Sequence, residues 1–147
     1  MNLDAILKEW QTDSVIKDNL AETSVDSAKL HAKYLKILFE TKLLLKKEEM
    51  KQKQLLKAKW LYYEGKMTKE EMDSRGWSYD PYDGHNIKMK AHKEYYYGSD
   101  LDIGASEEMV DYYKAMVDAL KEIVEAIKWR HQTIRNIIQW KIFESGG

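Results

Sequence analysis

Residues 109–138, MVDYYKAMVDALKEIVEAIKWRHQTIRNII, contain the clearest structural signal in this chain of 147 residues. Apolar side chains recur at alternating steps of four and three from Met109 to Ile137, with Arg130 taking one of the positions. Further apolar columns run beside this one at steps of seven. The pattern is that of an α-helix whose apolar face is wider than a two-stranded coiled coil requires. It predicts a long carboxy-terminal helix and a mainly α fold.

This helix is expected to begin after Ser106, which is a reasonable N-cap and is followed by Glu107 and Glu108 in the first turn, where the helix dipole favours anions. One side of its apolar face is expected to cover another helix of the same chain, and the other side to meet a neighbouring subunit. The residues assigned to oligomerisation are Leu120, Ile123, Ile127, Ile134, Ile137 and Ile138.

A second long helix is predicted from about Ser24 or Asp26 to Glu64, with Gly65 as its C-cap. A short amphipathic helix over residues 3–10 precedes it. Together with the carboxy-terminal helix, these segments predict a bundle of long helices.

The segment between the two long helices has a different composition. Residues 65–105 contain five of the seven glycines and the only proline, Pro81. A turn signal at residues 80–84 and apolar–polar alternation at residues 87–90 favour a small hairpin or an irregular insertion. The chain is therefore expected to form a single domain over residues 1–147. Its parts are 1–66 with the basic segment, 67–105 as the insertion, and 106–147 as the oligomerisation helix.

Several functional classes find no support in the sequence. There is no cysteine, and the four histidines lack the spacing of a metal site. No Gly-rich phosphate loop, nucleophile elbow or zinc-protease motif is present. No apolar run is long enough to span a membrane, and no signal peptide is evident. These observations predict an intracellular protein that is not an enzyme, needs no cofactor or metal, and does not enter a membrane.

Residues 42–63, KLLLKKEEMKQKQLLKAKWLYY, form a basic segment with seven lysines and two glutamates, in a chain whose net charge is −1. Lysines beside aromatic rings on a helix are typical of surfaces that bind single-stranded nucleic acid, because cations neutralise phosphates and rings stack on bases. The residues assigned to DNA binding are Lys42, Lys46, Lys53, Lys57, Lys59, Trp60 and Tyr63. The alternative is that the lysines form a solvated helix face and that the aromatic residues, including Tyr62, are core residues.

Two other charged clusters have competing interpretations. Lys88, Lys90 and Lys93, with the tyrosines at 95–97, either extend a nucleic-acid track or form the solvated edge of a loop. Asp100 and Asp102 belong to an acidic group that a small helical enzyme or nuclease cofactor would use, with divalent-metal-dependent turnover. Helix capping explains the acidic group better, because it lacks the spacing of a calcium loop. A structural oligomeric scaffold without DNA binding is the remaining alternative.

Residues 55–66, LLKAKWLYYEGK, resemble the central motif of the UvsY family, the recombination mediators of T-even-type phages. That motif has a leucine, two basic residues separated by alanine, a tyrosine pair, a glycine and another basic residue. The carboxy terminus resembles the family as well, through Ala126, Ile127, Lys128, Arg130 and the later apolar positions up to Phe143. Residues 67–106 show no convincing similarity.

The resemblance implies a protein of the infected bacterial cytoplasm that is not enzymatic. It also implies a ring-like homo-oligomer, a heptamer held through the carboxy-terminal region, that binds single-stranded DNA. Such a protein contacts the phage recombinase and the phage single-strand-binding protein and helps to load the former in place of the latter. The family's basic pair, tied to DNA binding, maps onto Lys57 and Lys59. The second of these positions is commonly arginine in the family.

Overall fold

The computed structural model describes residues 1–146 and contains five helices. They are α1 (Leu3–Asp13), α2 (Leu20–Tyr63), α3 (Lys69–Arg75), α4 (Lys90–Gly98) and α5 (Leu101–Glu144). Helices α2 and α5 have 44 residues each. No strand occurs among these residues, so the predicted mainly α class is confirmed. None of the helices described is long and apolar enough to cross a membrane.

Of the two predicted forms of the segment between the long helices, the hairpin is wrong, because the segment contains α3 and α4 and no strand, whereas residues 76–89 between these helices are irregular. Thr68 begins α3, since its hydroxyl accepts a hydrogen bond from the Glu71 amide at 3.2 Å. The turn predicted at residues 80–84 is present, and the Asp80 carboxylate shapes it by accepting from the amides of Tyr82 (2.9 Å) and Gly84 (2.6 Å). That turn lies between α3 and α4, and of the alternating residues 87–90 only Lys90 is helical, as the first residue of α4.

The ends of α2 follow local capping chemistry. The helix begins at Leu20, earlier than predicted, because the Asn19 side chain accepts a hydrogen bond from the Glu22 amide at 3.1 Å. Its end near Gly65 is as predicted: Gly65 has φ +70°, and the Lys66 amide donates to the Leu61 carbonyl at 2.9 Å. This arrangement is a Schellman motif, which requires the left-handed conformation that glycine adopts easily.

Helix α5 begins at Leu101, so the predicted start after Ser106 is wrong. Asp100 is the residue that caps it. Its Oδ1 atom accepts hydrogen bonds from the amides of Asp102 at 2.9 Å and Ile103 at 3.0 Å. Aspartate is a strong N-cap because its carboxylate satisfies amides that have no partner within the helix.

The chain divides into two compact units. The first unit combines Met1–Leu44 with the chain from Tyr112 to its end, and the second unit is Leu45–Asp111. Only the first unit joins segments that are distant in sequence, whereas the second is one continuous stretch; both units contain parts of α2 and α5.

The first unit has an apolar core supplied by α1, α2 and α5. Ile6, Tyr34 and Leu120 are fully buried, and the Trp10 ring meets the Tyr34 ring edge-on at a centroid distance of 5.5 Å. Four of the six residues assigned to oligomerisation, Leu120, Ile123, Ile127 and Ile134, are no more than 4% exposed. The structure covers these four within one chain, so they belong to its core and not to a free face. Ile137 is half-buried, and only Ile138, at 41%, is exposed.

Arg130 anchors the end of α1 from α5. Its guanidinium donates hydrogen bonds to the carbonyl oxygens of Ser14 and Val15, both at 2.9 Å. The residue as a whole is buried. The carbonyl of Asp13, the last residue of α1, also accepts from this guanidinium at 3.3 Å, so the cation satisfies a carbonyl at the carboxyl end of the helix and complements its dipole. The polar residue in the apolar pattern of α5 is therefore a capping group for another helix.

Asp13 completes this polar cluster. Its Oδ2 atom accepts hydrogen bonds from Lys33 Nζ at 2.6 Å and from the Tyr34 hydroxyl at 2.8 Å. Burial raises the pKa of the Asp13 carboxyl, but the hydrogen bonds from Lys33 and Tyr34 and the charges of Lys33 and Arg130 outweigh burial, so the pKa lies below its usual value of 3.8.

Replacing Ile127 by alanine is expected to lower the free energy of unfolding by about 2–5 kcal/mol, because it opens a cavity in the first unit's core. The matched change Ile138→Ala, on the same helix at an exposed position, is expected to cost less than about 1 kcal/mol. Urea denaturation followed by circular dichroism at low protein concentration measures both. Equal losses would contradict the assignment of Ile127 to the intrachain core.

Candidate nucleic-acid interface

The second half of α2 presents a row of free cations to solvent. Lys46, Lys53 and Lys57 are all exposed, and none of them has a carboxylate within 4 Å in the described part of the chain. At about 100° per residue, the spacings of seven and four place the three side chains within about 40° of one another around the helix axis. We call these three residues the lysine row.

Trp60 lies on the same side of α2 as the lysine row, since it follows Lys53 by seven residues. Trp60 is 49% exposed, so its ring is accessible to a ligand. Cations and one exposed ring on a single helix face are the components of a surface that binds single strands.

Lys42 is also exposed but belongs to the first unit. Its Nζ atom lies 5.3 Å from the centroid of the Phe39 ring. Of the seven residues assigned to DNA binding, Lys42, Lys46, Lys53, Lys57 and Trp60 are therefore accessible to solvent.

Lys59 does not join the lysine row. It is 4% exposed, and its Nζ atom forms ion pairs with Asp100 Oδ2 at 3.0 Å and Asp102 Oδ2 at 2.9 Å. The same atom lies 3.9 Å from the centroid of the Trp77 ring. Residues two apart on a helix point about 200° apart, so Lys57 and Lys59 cannot both face one ligand. The structure separates the basic pair into an outward and an inward lysine.

Tyr63 is likewise turned inward. It is 9% exposed, and its hydroxyl donates to Asp100 Oδ2 at 2.6 Å. Its carbonyl oxygen accepts a hydrogen bond from the Tyr82 hydroxyl. Tyr63 is therefore largely withdrawn from solvent, which favours the core interpretation for this residue.

The core of the second unit is built around these tyrosines. Its buried members are Ala58, Tyr62, Tyr63, Met67 and Tyr82. Partly buried Met72, Trp77, Ile87, Tyr96 and Tyr97 pack around them. Tyr62 is fixed further by its hydroxyl, which donates to the Ser78 carbonyl at 2.6 Å.

Asp100 is the polar centre of this unit. Its Oδ1 atom caps α5, while its Oδ2 atom accepts from Tyr63 and pairs with Lys59. Burial raises the pKa of the carboxyl, but the hydrogen bonds from Tyr63, Ile103 and Lys59 and the lysine charge outweigh burial and hold the pKa below 3.8. The same environment raises the pKa of the Tyr63 hydroxyl, chiefly through burial and then through its bond to the Asp100 carboxylate.

The enzyme alternative gains nothing from this geometry. Both oxygens of Asp100 are engaged with protein donors, which is the arrangement of a structural carboxylate. No group of three or more side chains suited to hold a metal ion occurs within residues 1–146. Helix capping is the interpretation that the sequence favours for the acidic group, and Asp100 does cap α5, although Ser106 is the N-cap that the sequence predicts.

Known proteins share this architecture. The family model for UvsY, described as "Recombination, repair and ssDNA binding protein UvsY", matches residues 9–147. A crystal structure of the bacteriophage T4 recombination mediator protein UvsY aligns with a TM-score of 0.79 at 23% identity, over 99% of this chain and 98% of the T4 chain. A second crystal form of the T4 protein gives a TM-score of 0.77 at 23% identity, over 95% and 98%. No curated protein matches the sequence.

Replacing Lys59 by methionine is expected to lower the free energy of unfolding by about 3–5 kcal/mol, because it leaves the buried Asp100 carboxylate without its cation. The control Lys57→Met, two residues away at an exposed position, is expected to change it by less than about 0.5 kcal/mol. Chemical denaturation of both variants tests the division of the basic pair. Similar small effects would show that Lys59 is not part of the core.

Acid titration provides a second test. Asp13 and Asp100 have pKa values lowered by folding, so their stabilisation is present above about pH 4 and is lost as the pH falls through the folded-state values. Each group contributes a slope of at most about 1.4 kcal/mol per pH unit. In an Asp100→Asn variant the loss of stability below pH 4 is expected to be shallower than in the unchanged protein. Denaturation midpoints measured at several pH values decide this, and parallel curves would rule out the role of Asp100.

Proposed function

Because the chain belongs to the UvsY family, we propose that it binds single-stranded DNA without sequence specificity and acts as a recombination mediator. The observation that carries the proposal is the lysine row with Trp60 on one exposed face of α2. The proposed activity is non-enzymatic: the protein holds the strand, and the recombinase acts on it.

The chemistry of the lysine row explains the absence of sequence specificity. An ammonium group neutralises phosphates, which are the same in every sequence, and releases condensed counterions when it does so. Lys46, Lys53 and Lys57 are spaced by seven and four residues, so they lie along one side of α2. They therefore suit the phosphate backbone of a DNA strand that passes along the helix. Binding of this kind weakens steeply as salt concentration rises.

The basic pair is assigned two different roles in this proposal. Lys57 contacts phosphate, while Lys59 lies on the buried side of α2 and fixes the end of that helix by its ion pair with Asp100. Tyr63 belongs with Lys59 in this supporting role. A change at Lys59 is therefore expected to reduce DNA binding only through loss of structure.

Assembly into a homo-oligomer is the second part of the proposal. The last turns of α5 expose apolar side chains that a single chain leaves uncovered: Trp129, Ile138, Trp140, Ile142 and Phe143. The rings of Trp140 and Phe143 stack on each other at a centroid distance of 5.5 Å. A ring of subunits, expected to be a heptamer, would repeat one weak lysine row many times and raise affinity through effective concentration.

Within the infected bacterial cytoplasm, such an assembly is proposed to hold the strand for the phage recombinase while the phage single-strand-binding protein is displaced. The alternative is an oligomeric helical scaffold that does not bind DNA. The two functions differ in one simple observation, because only the mediator shows DNA binding that salt weakens.

The triple substitution of Lys46, Lys53 and Lys57 by glutamine is expected to weaken binding of a labelled thymidine oligonucleotide at low salt. Loss of three phosphate contacts per bound subunit is expected to reduce the slope of log K against log salt by about 2, since each contact on a single strand contributes about 0.7. Fluorescence anisotropy at several salt concentrations measures both quantities, with native mass recorded on the same samples.

The matched control replaces three exposed lysines that are each paired with an acidic residue one turn away. These are Lys8, Lys36 and Lys128, paired with Asp4, Glu40 and Glu125. The control variant is expected to keep both affinity and salt slope. If the unchanged protein ignores DNA at low salt, the scaffold function replaces the mediator function. If both triple variants bind equally well, the lysine row is not the DNA contact.

A further inference from the structure

A pocket of about 240 Å³ lies in the second unit beside the lysine row, between the end of α2 and α4. Three aromatic residues, Trp60, Tyr63 and Tyr97, contribute to its lining. Lys90 and Lys93 line it from α4, and Glu64 and Glu94 complete it. The combination of flat rings and ammonium groups in one small concavity is chemically suited to a flat aromatic ligand attached to an anion.

Trp60 is the most exposed of the pocket's three rings. Tyr63 is buried and bonded through its hydroxyl, and Tyr97 is half-buried against the core of the second unit. Trp60 leaves 49% of its surface in water although it has the largest aromatic face of the three. A ligand that covers this ring removes apolar surface from water without displacing any existing contact of the core.

Positive charge stands next to this ring. Lys66 Nζ lies 5.1 Å from the Trp60 ring centroid, and Lys90 is exposed at the pocket. Lys93 is partly neutralised by Glu64, at an Nζ to Oε2 distance of 3.7 Å. A ligand whose aromatic part enters the pocket can thus place its anionic part near Lys66 and Lys90.

We propose that this pocket is a nucleobase subsite, in which one base of the bound single strand stacks on Trp60 while its phosphate lies near Lys66 and Lys90. The inference rests on the proposed DNA binding and adds a base contact to the phosphate contacts of the lysine row. Trp60 joins the two, because it shares the helix face of Lys53 and lines the pocket. The base is held by its face, so any base fits.

The test compares two strands of equal length, a thymidine oligonucleotide and an abasic strand that has the same phosphates but no bases. The unchanged protein is expected to bind the thymidine strand at least about fivefold more tightly, since stacking of one base accounts for a factor of this size or larger. Trp60→Leu is expected to lower the affinity for the thymidine strand towards that for the abasic strand, with an unchanged salt slope. Trp60→Tyr, which keeps an aromatic face, is expected to restore most of the difference.

Tyr79→Leu is the control, because Tyr79 is an exposed aromatic residue of the second unit, 56% accessible, that does not line the pocket. It is expected to leave both affinities unchanged. Equal affinity of the unchanged protein for both strands, or a Trp60→Leu variant that still prefers the thymidine strand, would overturn the nucleobase subsite while leaving phosphate binding by the lysine row intact. Loss of binding to the abasic strand in Trp60→Leu would also overturn it, since the ring would then act on fold or phosphates. Failure of the unchanged protein to bind either strand would instead overturn the proposed function itself.

Discussion

The second unit depends on the contacts that the Asp100 carboxylate makes. One oxygen begins α5, and the other holds Lys59 and Tyr63 near the end of α2. A buried carboxylate is tolerated only when its hydrogen-bonding capacity is met and a cation is near, and both conditions are fulfilled here. Because Lys59 must face this carboxylate, helix geometry turns Lys57 and the rest of the lysine row towards solvent. An internal polar requirement therefore determines which lysines remain free for a ligand.

Much of this architecture could be predicted from the sequence because it follows from periodicity and from local capping. The apolar spacing in residues 109–138 is sufficient for a long helix, and Gly65 ends α2 through a conformation that few other residues adopt easily. The structure of residues 67–105 is harder to predict from the sequence. Its alternating residues satisfied the period of a strand, but a strand needs a partner, and no local pattern shows that one is missing. The start of α5 was missed because Ser106 and Asp100 both resemble N-caps, and only tertiary contacts favour Asp100.

The same limit applies to the functional side chains. The pairing of Lys57 with Lys59 could have been questioned from the sequence, since residues two apart lie on opposite sides of a helix. The sequence could not show that acidic residues some 40 positions later would reach Lys59. Apolar residues of α5 present a similar ambiguity. A wide apolar face on a helix does not reveal which of its residues the same chain buries. In α5 the buried residues include Leu120, Ile123, Ile127 and Ile134, while the exposed ones include Trp129, Trp140 and Phe143.

The burial of Lys59 changes the meaning of substitution at this position. The family motif that residues 55–66 resemble commonly has arginine at the position of Lys59. A guanidinium has a planar fork of donors that two neighbouring carboxylates can accept. Exchange between lysine and arginine at this position then changes packing and ion pairing inside the protein, because Asp100 and Asp102 can pair with either cation. Selection should accordingly act on positions 59 and 100 together. Among relatives, we expect the base and its acid to be kept as a pair or lost as a pair, whereas positions of the lysine row drift independently so long as enough positive charge remains.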